Sequence, residues 1–156
     1  MKMIYLYLSI SVSIIFLSFI VGMIVNGILK KTKFYNNNLS NLNFIENEKL
    51  NKYIGVDIVK WIVKNTPFKY FNQFIKIKGS LEKAGLIKLR EDMTNSEIGH
   101  LMGFVFVVVV ALLIFFKTKF ILGMVIIMTV NIIMNLYPSL LQQQNKRRID
   151  NLLKKM

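Results

Sequence analysis

The sequence lacks cysteine entirely and contains one histidine, His100, in 156 residues. Without thiols, the chain cannot form disulfides, a thiolate nucleophile or cysteine-based zinc and iron–sulfur sites. A single histidine also excludes a histidine-rich metal centre, so no metal is expected. Only 8 acidic residues oppose 21 basic ones, which gives a formal charge of +13. This excess of positive charge favours contact with anionic surfaces.

Apolar residues are abundant, and they are concentrated near the two ends of the chain. They make up 54% of it, and uncharged runs cover about residues 3–29, 98–116 and 120–141. At about 1.5 Å per residue, each run is long enough for the ~30 Å hydrocarbon core of a bilayer. The sequence therefore predicts an all-α integral membrane protein with three transmembrane helices. A cleaved signal peptide is the alternative for the first run, but its length and the basic residues after it favour a retained helix.

The membrane runs divide the chain into four parts. Residues 1–30 form an N-terminal transmembrane helix, 31–96 a cytoplasmic or interfacial amphipathic segment, 97–149 a transmembrane hairpin and 150–156 a basic tail. Lys2, Lys117 and Lys119 fall on one side of the three spans, and the other 18 of the 21 basic residues fall on the opposite side. The positive-inside rule then predicts a multi-pass protein of the cell membrane with its N-terminus outside and its C-terminus in the cytoplasm.

An amphipathic stretch around Trp61 lies between the first and second spans. It is too short and too charged to cross the membrane, and Pro67 ends it. Lysines beside aromatic residues predict helices that lie in the headgroup plane, with Trp61 as an interfacial anchor. A sharper interpretation makes this stretch and residues 68–77 the roof of a lipid-substrate site, with Trp61 among the substrate-binding residues. No recognisable module combines the basic and aromatic residues, so nucleic acid is not an expected partner.

The hairpin places polar side chains from two helices at one depth. Its turn is centred on Thr118, with His100 18 residues before it and Leu136 18 residues after it. In two antiparallel helices of equal rise these residues lie level with each other, as do Glu97 and Ser139. The charged segment 79–95 is expected to lead into the hairpin as a helix, with an N-cap at residue 95 or 96, an Asn or a Ser.

A polar stripe runs along the third span at helical spacings of three and four residues. Amides in the hydrocarbon zone must face protein or water, so the predicted partner of the stripe is the face that carries Glu97 and His100. Pro138 is expected to loosen the helix at this level and open space there. The stripe consists of Asn131, Asn135, Ser139, Gln142 and Asn145.

A lone histidine with a carboxylate and amides at the same level suits acyl or group transfer to a hydroxyl. His100 would act as the general base, and Glu97 would orient the ring and stabilise the imidazolium. Side-chain amides or Arg148 would stabilise an oxyanion or hold an anionic group. Without a cysteine or a G-x-S-x-G elbow, direct transfer is favoured over a covalent acyl-enzyme. The alternative is a non-catalytic small membrane protein, an assembly factor or a subunit, in which the amides only hold helices together.

The polar positions also form a multi-part motif. The pattern Glu97-x-x-His100 stands at the start of the predicted hairpin. At its end stands the pattern Asn135-x-x-Pro138-x-x-x-Gln142-x-x-Asn145-Lys146-x-Arg148. With Asn43-Phe44 and Lys60-Trp61 upstream, residues 42–149 resemble the glycosyl-4,4'-diaponeurosporenoate acyltransferase family, which includes the enzyme for the last step of staphyloxanthin synthesis. The resemblance implies a membrane enzyme of carotenoid biosynthesis that esterifies a sugar hydroxyl of a glycolipid-like carotenoid with a fatty acyl group.

The roles of the site residues follow from the chemistry, whereas the resemblance only places Glu97, His100, Asn135, Gln142, Asn145 and Arg148 at motif positions. The expected partners are a lipid or glycolipid substrate and membrane lipids, with no cofactor beyond an activated acyl donor as co-substrate. The chain departs from the family pattern at Gln143, Gln144, Lys146 and Arg147. Arginine and lysine bind anions differently, so the donor or acceptor can differ as well. The predicted catalytic residues are His100 and Glu97, and the predicted substrate-binding residues are Asn135, Gln142, Asn145, Arg148 and Trp61.

Overall fold

A computed structural model describes residues 1–45, 47–67 and 82–156. These residues contain helices and no strands, and three helical stretches are long and apolar enough to cross a membrane: Lys2–Leu29, Lys83–Thr118 and Ile121–Leu153, the last of which is the third span. The all-α membrane architecture predicted from the sequence is confirmed. The aromatic run after Pro67, predicted to extend the interfacial segment, lies outside the described residues. The helices are α1 (Lys2–Leu29), α2 (Lys33–Asn37), α3 (Glu48–Tyr53), α4 (Val56–Asn65), α5 (Lys83–Thr118), α6 (Ile121–Asn131) and α7 (Tyr137–Leu153), with a 3-10 turn at Leu39–Asn41 and a π-helical turn at Ile132–Leu136.

Helix α1 packs closely against α5 because small residues line the contact. A Cβ atom on Gly103 would lie 2.9 Å from the carbonyl oxygen of Ser18, and one on Gly22 would collide with the backbone of Gly99. Such small residues allow two membrane helices to approach backbone to backbone. Gly99 and Gly103 therefore form part of the surface of α5 on which α1 packs. Below it, the three spans share an apolar core of Tyr7, Ile14, Ile15, Val107, Ala111 and Ile127.

Helix α5 is longer than the sequence predicted. It runs without a break for 36 residues, or about 54 Å at 1.5 Å per residue. Asn95 and Ser96 therefore lie inside the helix, and the prediction that one of them caps its start is wrong. The reason is tertiary packing: Leu86, Leu89 and Met93 bury their side chains against Ile149 of α7, which holds the amphipathic segment in line with the span.

The third span is interrupted by a π-helical turn at Ile132–Leu136, directly before Pro138. Proline has no N–H group to donate to the carbonyl four residues earlier, so regular α-helical bonding cannot continue there. A π turn is one way in which a helix accommodates such a break. The loosening predicted around Pro138 is thus confirmed in this form. The turn carries Asn135, whose side chain is fully buried.

The segment after α1 folds back onto the hairpin. Tyr35 and Leu39 pack against Ile98 of α5. Helix α4 packs on the base of α7 by inserting Val56 against Leu140 and Leu141. Its opposite face leaves Ile58, Trp61 and Ile62 exposed, with Trp61 66% exposed. An amphipathic helix with an exposed aromatic face suits the predicted position in the headgroup plane.

Candidate active site

A cavity of about 530 Å³ lies between α1, α5 and α7. His100 lies on its wall, and the imidazole meets the Phe19 ring edge-on, with ring centroids 5.7 Å apart. The cavity therefore forms where the hairpin meets α1, a helix to which the sequence assigned only packing. Its lining consists of Phe19, Met23, Asn26, Gly27, Asp92, Met93, Asn95, Ser96, Gly99, His100 and Gln142.

The His100 ring lies beside Asn135, as the depth count predicted. The Asn135 amide donates to Ser18 Oγ at 3.0 Å and to Asn131 Oδ1 at 2.9 Å, which fixes its position between three elements. The Nδ1 atom of His100 is buried and has no hydrogen-bond partner among the described residues. One ring nitrogen of the histidine is thus left for something other than protein.

Glu97 lies on the same helix one turn from His100, but its carboxylate is occupied by α7. Gln143 Nε2 donates to Glu97 Oε1 at 2.8 Å, and Lys146 Nζ lies 2.5 Å from Oε2. Among the described residues, no hydrogen bond joins Glu97 to His100. The orienting role assigned to Glu97 stays a prediction, and the bonds that the carboxylate makes hold α5 to α7.

The same group of buried side chains holds the loop that precedes α3. Lys146 Nζ donates to the carbonyl oxygen of Ser40 at 3.2 Å, and the backbone N–H of Phe44 donates to Gln143 Oε1 at 2.9 Å. We call Glu97, Gln143 and Lys146 the polar clamp.

Burial, with the nearby carboxylates of Glu97 and Glu91, raises the pKa of the Tyr35 phenol above its usual range. The Tyr35 side chain, which lies near the polar clamp, therefore stays neutral.

Sequence reasoning did not identify Gln143 and Lys146 as members of the site. They appear in the sequence as departures from a family pattern and as part of the basic flank of a membrane helix. Both are almost fully buried, at 1% and 3% exposure. Their position on the helix face toward α5, three and six residues after Leu140, was the only available signal.

The other predicted residues are divided between structural and exposed positions. Asn131 Nδ2 donates to the carbonyl oxygen of Phe104 at 3.1 Å, which is a bond between spans. Asn145 is buried, and its Nδ2 lies 4.0 Å from Met93 Sδ. Ser139 is also fully buried. The structure therefore brings His100, Asn135 and Gln142 together, whereas Arg148 and Trp61 are exposed and do not line the cavity.

Four polar residues of the cavity lining, Asn26, Asp92, Asn95 and Ser96, were not identified as site residues by sequence reasoning. Asn26, assigned to packing, donates from Nδ2 to Oδ1 of Asn95 at 2.6 Å and to its carbonyl oxygen at 3.0 Å. Asp92 lies on the cavity face of α5, eight residues before His100. The spacing of Asp92, Ser96 and Gly99 along one helix face was a usable signal, since all three line the same wall. Among the described residues, no group of three or more His, Asp or Glu side chains could hold a metal ion.

Three apolar helical spans with a cavity between them define this chain as a helical membrane protein. A family model described as glycosyl-4,4'-diaponeurosporenoate acyltransferase matches residues 31–155, about four fifths of the chain. The chain belongs to this family, which indicates that it is an acyltransferase of carotenoid biosynthesis. The match contains α5 and the third span, and α1 lies before it. No curated protein and no solved structure is significantly similar to the chain.

Proposed function

We propose that the protein transfers a fatty acyl group to a sugar hydroxyl of a glycosylated carotenoid or a related glycolipid, with His100 as the general base. The observation that carries this proposal is the His100 ring on the cavity wall, with a buried Nδ1 that has no partner among the described residues. A neutral imidazole has one nitrogen that accepts a proton. A ring nitrogen that no protein group occupies can take the proton of an alcohol bound against the ring.

The reaction proceeds as a direct transfer. The hydroxyl oxygen of the acceptor attacks the acyl carbonyl carbon while His100 takes the hydroxyl proton. The bond between the carbonyl carbon and the leaving group of the donor then breaks, and the proton passes from His100 to that leaving group. The side-chain amide of Gln142, which lines the same cavity as His100, would donate to the oxyanion of the tetrahedral intermediate. Both N–H groups of Asn135 are already bonded to Ser18 and Asn131, so Asn135 holds the helices beside the ring. The activated donor is the second substrate, and no cofactor enters the reaction.

The site opens toward the cytoplasm, with the N-terminus outside. This part of the proposal is supported by the distribution of charge. Lys30, Lys31 and Lys33 flank the inner end of α1, and Lys146 and Arg147 flank the third span. Clusters of basic residues beside a membrane helix remain in the cytoplasm. An activated acyl donor in the cytoplasm would reach the cavity from this side.

The test is replacement of His100 in the full chain. His100→Gln and His100→Ala are expected to lower acyl transfer by about 10²-fold or more, because proton transfer contributes this much in general-base catalysis. Acylated glycolipid is measured by mass spectrometry of cell lipids, and protein accumulation is measured by immunoblot. Thr129→Ala is the matched control, because it removes an exposed polar group of the third span that is bonded only to its own helix. Full activity of His100→Ala would rule out the general-base role.

One observation favours the alternative of a non-catalytic membrane protein. The bonds of Asn131 to α5 and of Asn135 to Ser18 are the kind that hold membrane helices together. If Asn135→Leu abolishes accumulation while His100→Ala changes neither accumulation nor cellular lipids, the alternative replaces the proposal. The lipid profile of cells with and without the chain separates the two readings directly.

A further inference from the structure

The cavity lining includes hydrogen-bond acceptors on Asp92, Asn26 and Gln142. We propose that Asp92 and Asn26, together with Gln142, form a subsite that accepts hydrogen bonds from the hydroxyl groups of a sugar, and that Asp92 determines which head group the cavity takes. The subsite excludes phosphate-bearing groups, so the donor's anionic portion stays outside it. This inference rests on the proposed function and adds the residues that select the acceptor.

The first observation is an acceptor atom that no protein donor satisfies. Asn26 is 3% exposed and lines the cavity. Its Nδ2 must be the atom that faces Asn95, because the backbone carbonyl of Asn95 at 3.0 Å can only accept. Its Oδ1 is therefore oriented elsewhere, and it is buried without a partner among the described residues. A buried acceptor in this state calls for a donor from outside the chain.

The second observation is the charge on the same wall. Asp92 carries a carboxylate, which only accepts hydrogen bonds when ionised. In a chain with a net charge of +13, no lysine or arginine is found among the described residues that line the cavity. No ion pair within the described ranges involves Asp92. The Gln142 side chain adds a further buried acceptor, Oε1, without a partner in the same part of the chain.

These groups favour hydrogen-bond donors over anions. Phosphate groups are bound by arginine, lysine or backbone N–H donors, and a carboxylate repels them. A sugar presents several hydroxyl donors on one small ring, and acidic and amide oxygens satisfy them. A cavity whose described lining has one carboxylate and no cationic side chain therefore favours a hydroxyl-bearing head group over an anionic one.

The position of Asp92 also sets the orientation of the acceptor. Asp92 and His100 are eight residues apart on α5, a rise of about 12 Å. Asp92 thus acts on the sugar rather than on the catalytic ring. Asn26 lies level with Asn95, nearer to Asp92, whereas Phe19 contacts His100. The sugar occupies the outer, polar half with its reactive hydroxyl inward, and the apolar part of the acceptor passes Phe19 toward the lipid.

The experiment exploits the absence of cysteine. A single Ser96→Cys exchange places a thiol on the cavity wall of the full chain in detergent, and its rate of labelling by a maleimide is measured. Octyl glucoside and octyl phosphate serve as probes with the same chain and different heads, in a background detergent without a sugar. The glucoside is expected to slow labelling and the phosphate to leave it unchanged. Equal or better protection by the phosphate would overturn the proposal.

The role of Asp92 is tested in the same background. Asp92→Asn should raise the glucoside concentration needed for half-protection about tenfold, as expected for loss of a hydrogen bond to a charged group. Glu91→Gln is the matched control, because it neutralises the neighbouring exposed carboxylate outside the cavity. Asp92→Glu keeps the charge and should restore most of the protection. If Asp92→Asn and Glu91→Gln behave alike, Asp92 does not select the head group.

Two further readouts separate this inference from the catalytic proposal. In acyl transfer, Asp92→Asn should raise the KM for the acceptor about tenfold and leave kcat unchanged, since it removes binding common to ground and transition states. His100→Gln should abolish transfer without changing protection by the glucoside. Retained protection in an inactive His100 variant supports the subsite independently of the reaction. Loss of protection in a folded His100→Gln variant, shown by an unchanged size-exclusion profile, would contradict it.

Discussion

The ammonium group of Lys146 lies 2.5 Å from the carboxylate of Glu97, and the two side chains are only 4% and 0% exposed. Removing both charges from water is costly, and their attraction compensates only when further hydrogen bonds complete the site. Gln143 and the carbonyl of Ser40 supply those bonds. The pair therefore joins α5, α7 and the loop before α3 through a single buried contact.

Breaking one side of this pair should destabilise the protein strongly. Glu97→Gln leaves the Lys146 charge buried and unpaired, which costs about 3–5 kcal/mol in comparable buried pairs. We expect a large drop in the melting temperature of the detergent-solubilised protein, measured by loss of the monodisperse size-exclusion peak on heating. The double variant Glu97→Gln with Lys146→Met should be more stable than Glu97→Gln alone. If the destabilising effects of Glu97→Gln and Lys146→Met are additive in the double variant, the ion pair does not account for the loss of stability.

The pair of Arg90 and Asp150 offers a control for this prediction. Its atoms are also 2.5 Å apart, but its side chains are 26% and 36% exposed. Water solvates and screens such a pair, so Arg90→Gln should cost no more than about 1 kcal/mol. A loss as large as that of Glu97→Gln would show that burial is not what distinguishes the polar clamp.

Close packing of α1 on α5 predicts a strong effect at Gly103. A larger residue there would lie 2.9 Å from the Ser18 carbonyl oxygen and 3.1 Å from Asn135 Oδ1. Gly103→Val should therefore push α1 away, at a cost of at least about 1–3 kcal/mol. The thermal stability of the solubilised protein measures this. Gly27→Ala is the control, since a Cβ there meets nothing within 4 Å. Equal stability of the two variants would contradict the packing described for α1.

The membrane orientation can be tested because the chain contains no cysteine. Single cysteines are introduced at Lys117, at the end of α5 beside the hairpin turn, and at Lys154, in the tail. If the N-terminus lies outside, an impermeant maleimide should label Lys117→Cys in intact cells and Lys154→Cys only after permeabilisation. The unmodified chain serves as the blank. The opposite pattern would place the cavity on the outer side and invert the proposed topology.

The depth of α4 can be read from Trp61, the only tryptophan in the chain. With 66% of this residue exposed beside Ile58 and Ile62, the helix should lie at the level of the headgroups. Its fluorescence in reconstituted vesicles should be quenched more by lipids brominated near the headgroup than by lipids brominated near the chain end. Quenching by a water-soluble agent alone would show that α4 stays off the membrane.

The sequence was sufficient for the spans and for the depth of His100. Uncharged runs of membrane length admit few alternatives, and equal helical rise places His100 beside Asn135. The count placed Glu97 beside Ser139, but the bonds of its carboxylate go to Gln143 and Lys146, further along α7. The π turn before Pro138 adds to the uncertainty of such a count, because it changes the number of residues per turn.

The remaining features were not predictable because they depend on contacts without a periodic pattern. The hydrogen bonds that join the backbone of Ser40 and Phe44 to the polar clamp depend on the tertiary fold, and no local sequence pattern predicts them. The continuity of α5 was hidden by Asn95 and Ser96, which suit a helix start equally well until burial of Met93 decides otherwise. Asn26 appeared to be one more packing residue, because nothing in α1 indicates that it faces Asn95.

The turn between α5 and α6 has only Lys119 and Phe120 between the helices, and Lys119 adopts a left-handed conformation with its N–H bonded to Phe115. The hairpin can therefore form from neighbouring parts of the chain, at little entropic cost. Helix α1 emerges first during synthesis, but it has no surface on which to dock until α5 is complete. Until α1 docks, the residues of α1 that line the cavity face lipid. The site is therefore complete only when α1 docks on the hairpin, and a chain supplied as α1 and the remainder separately should still be able to assemble it.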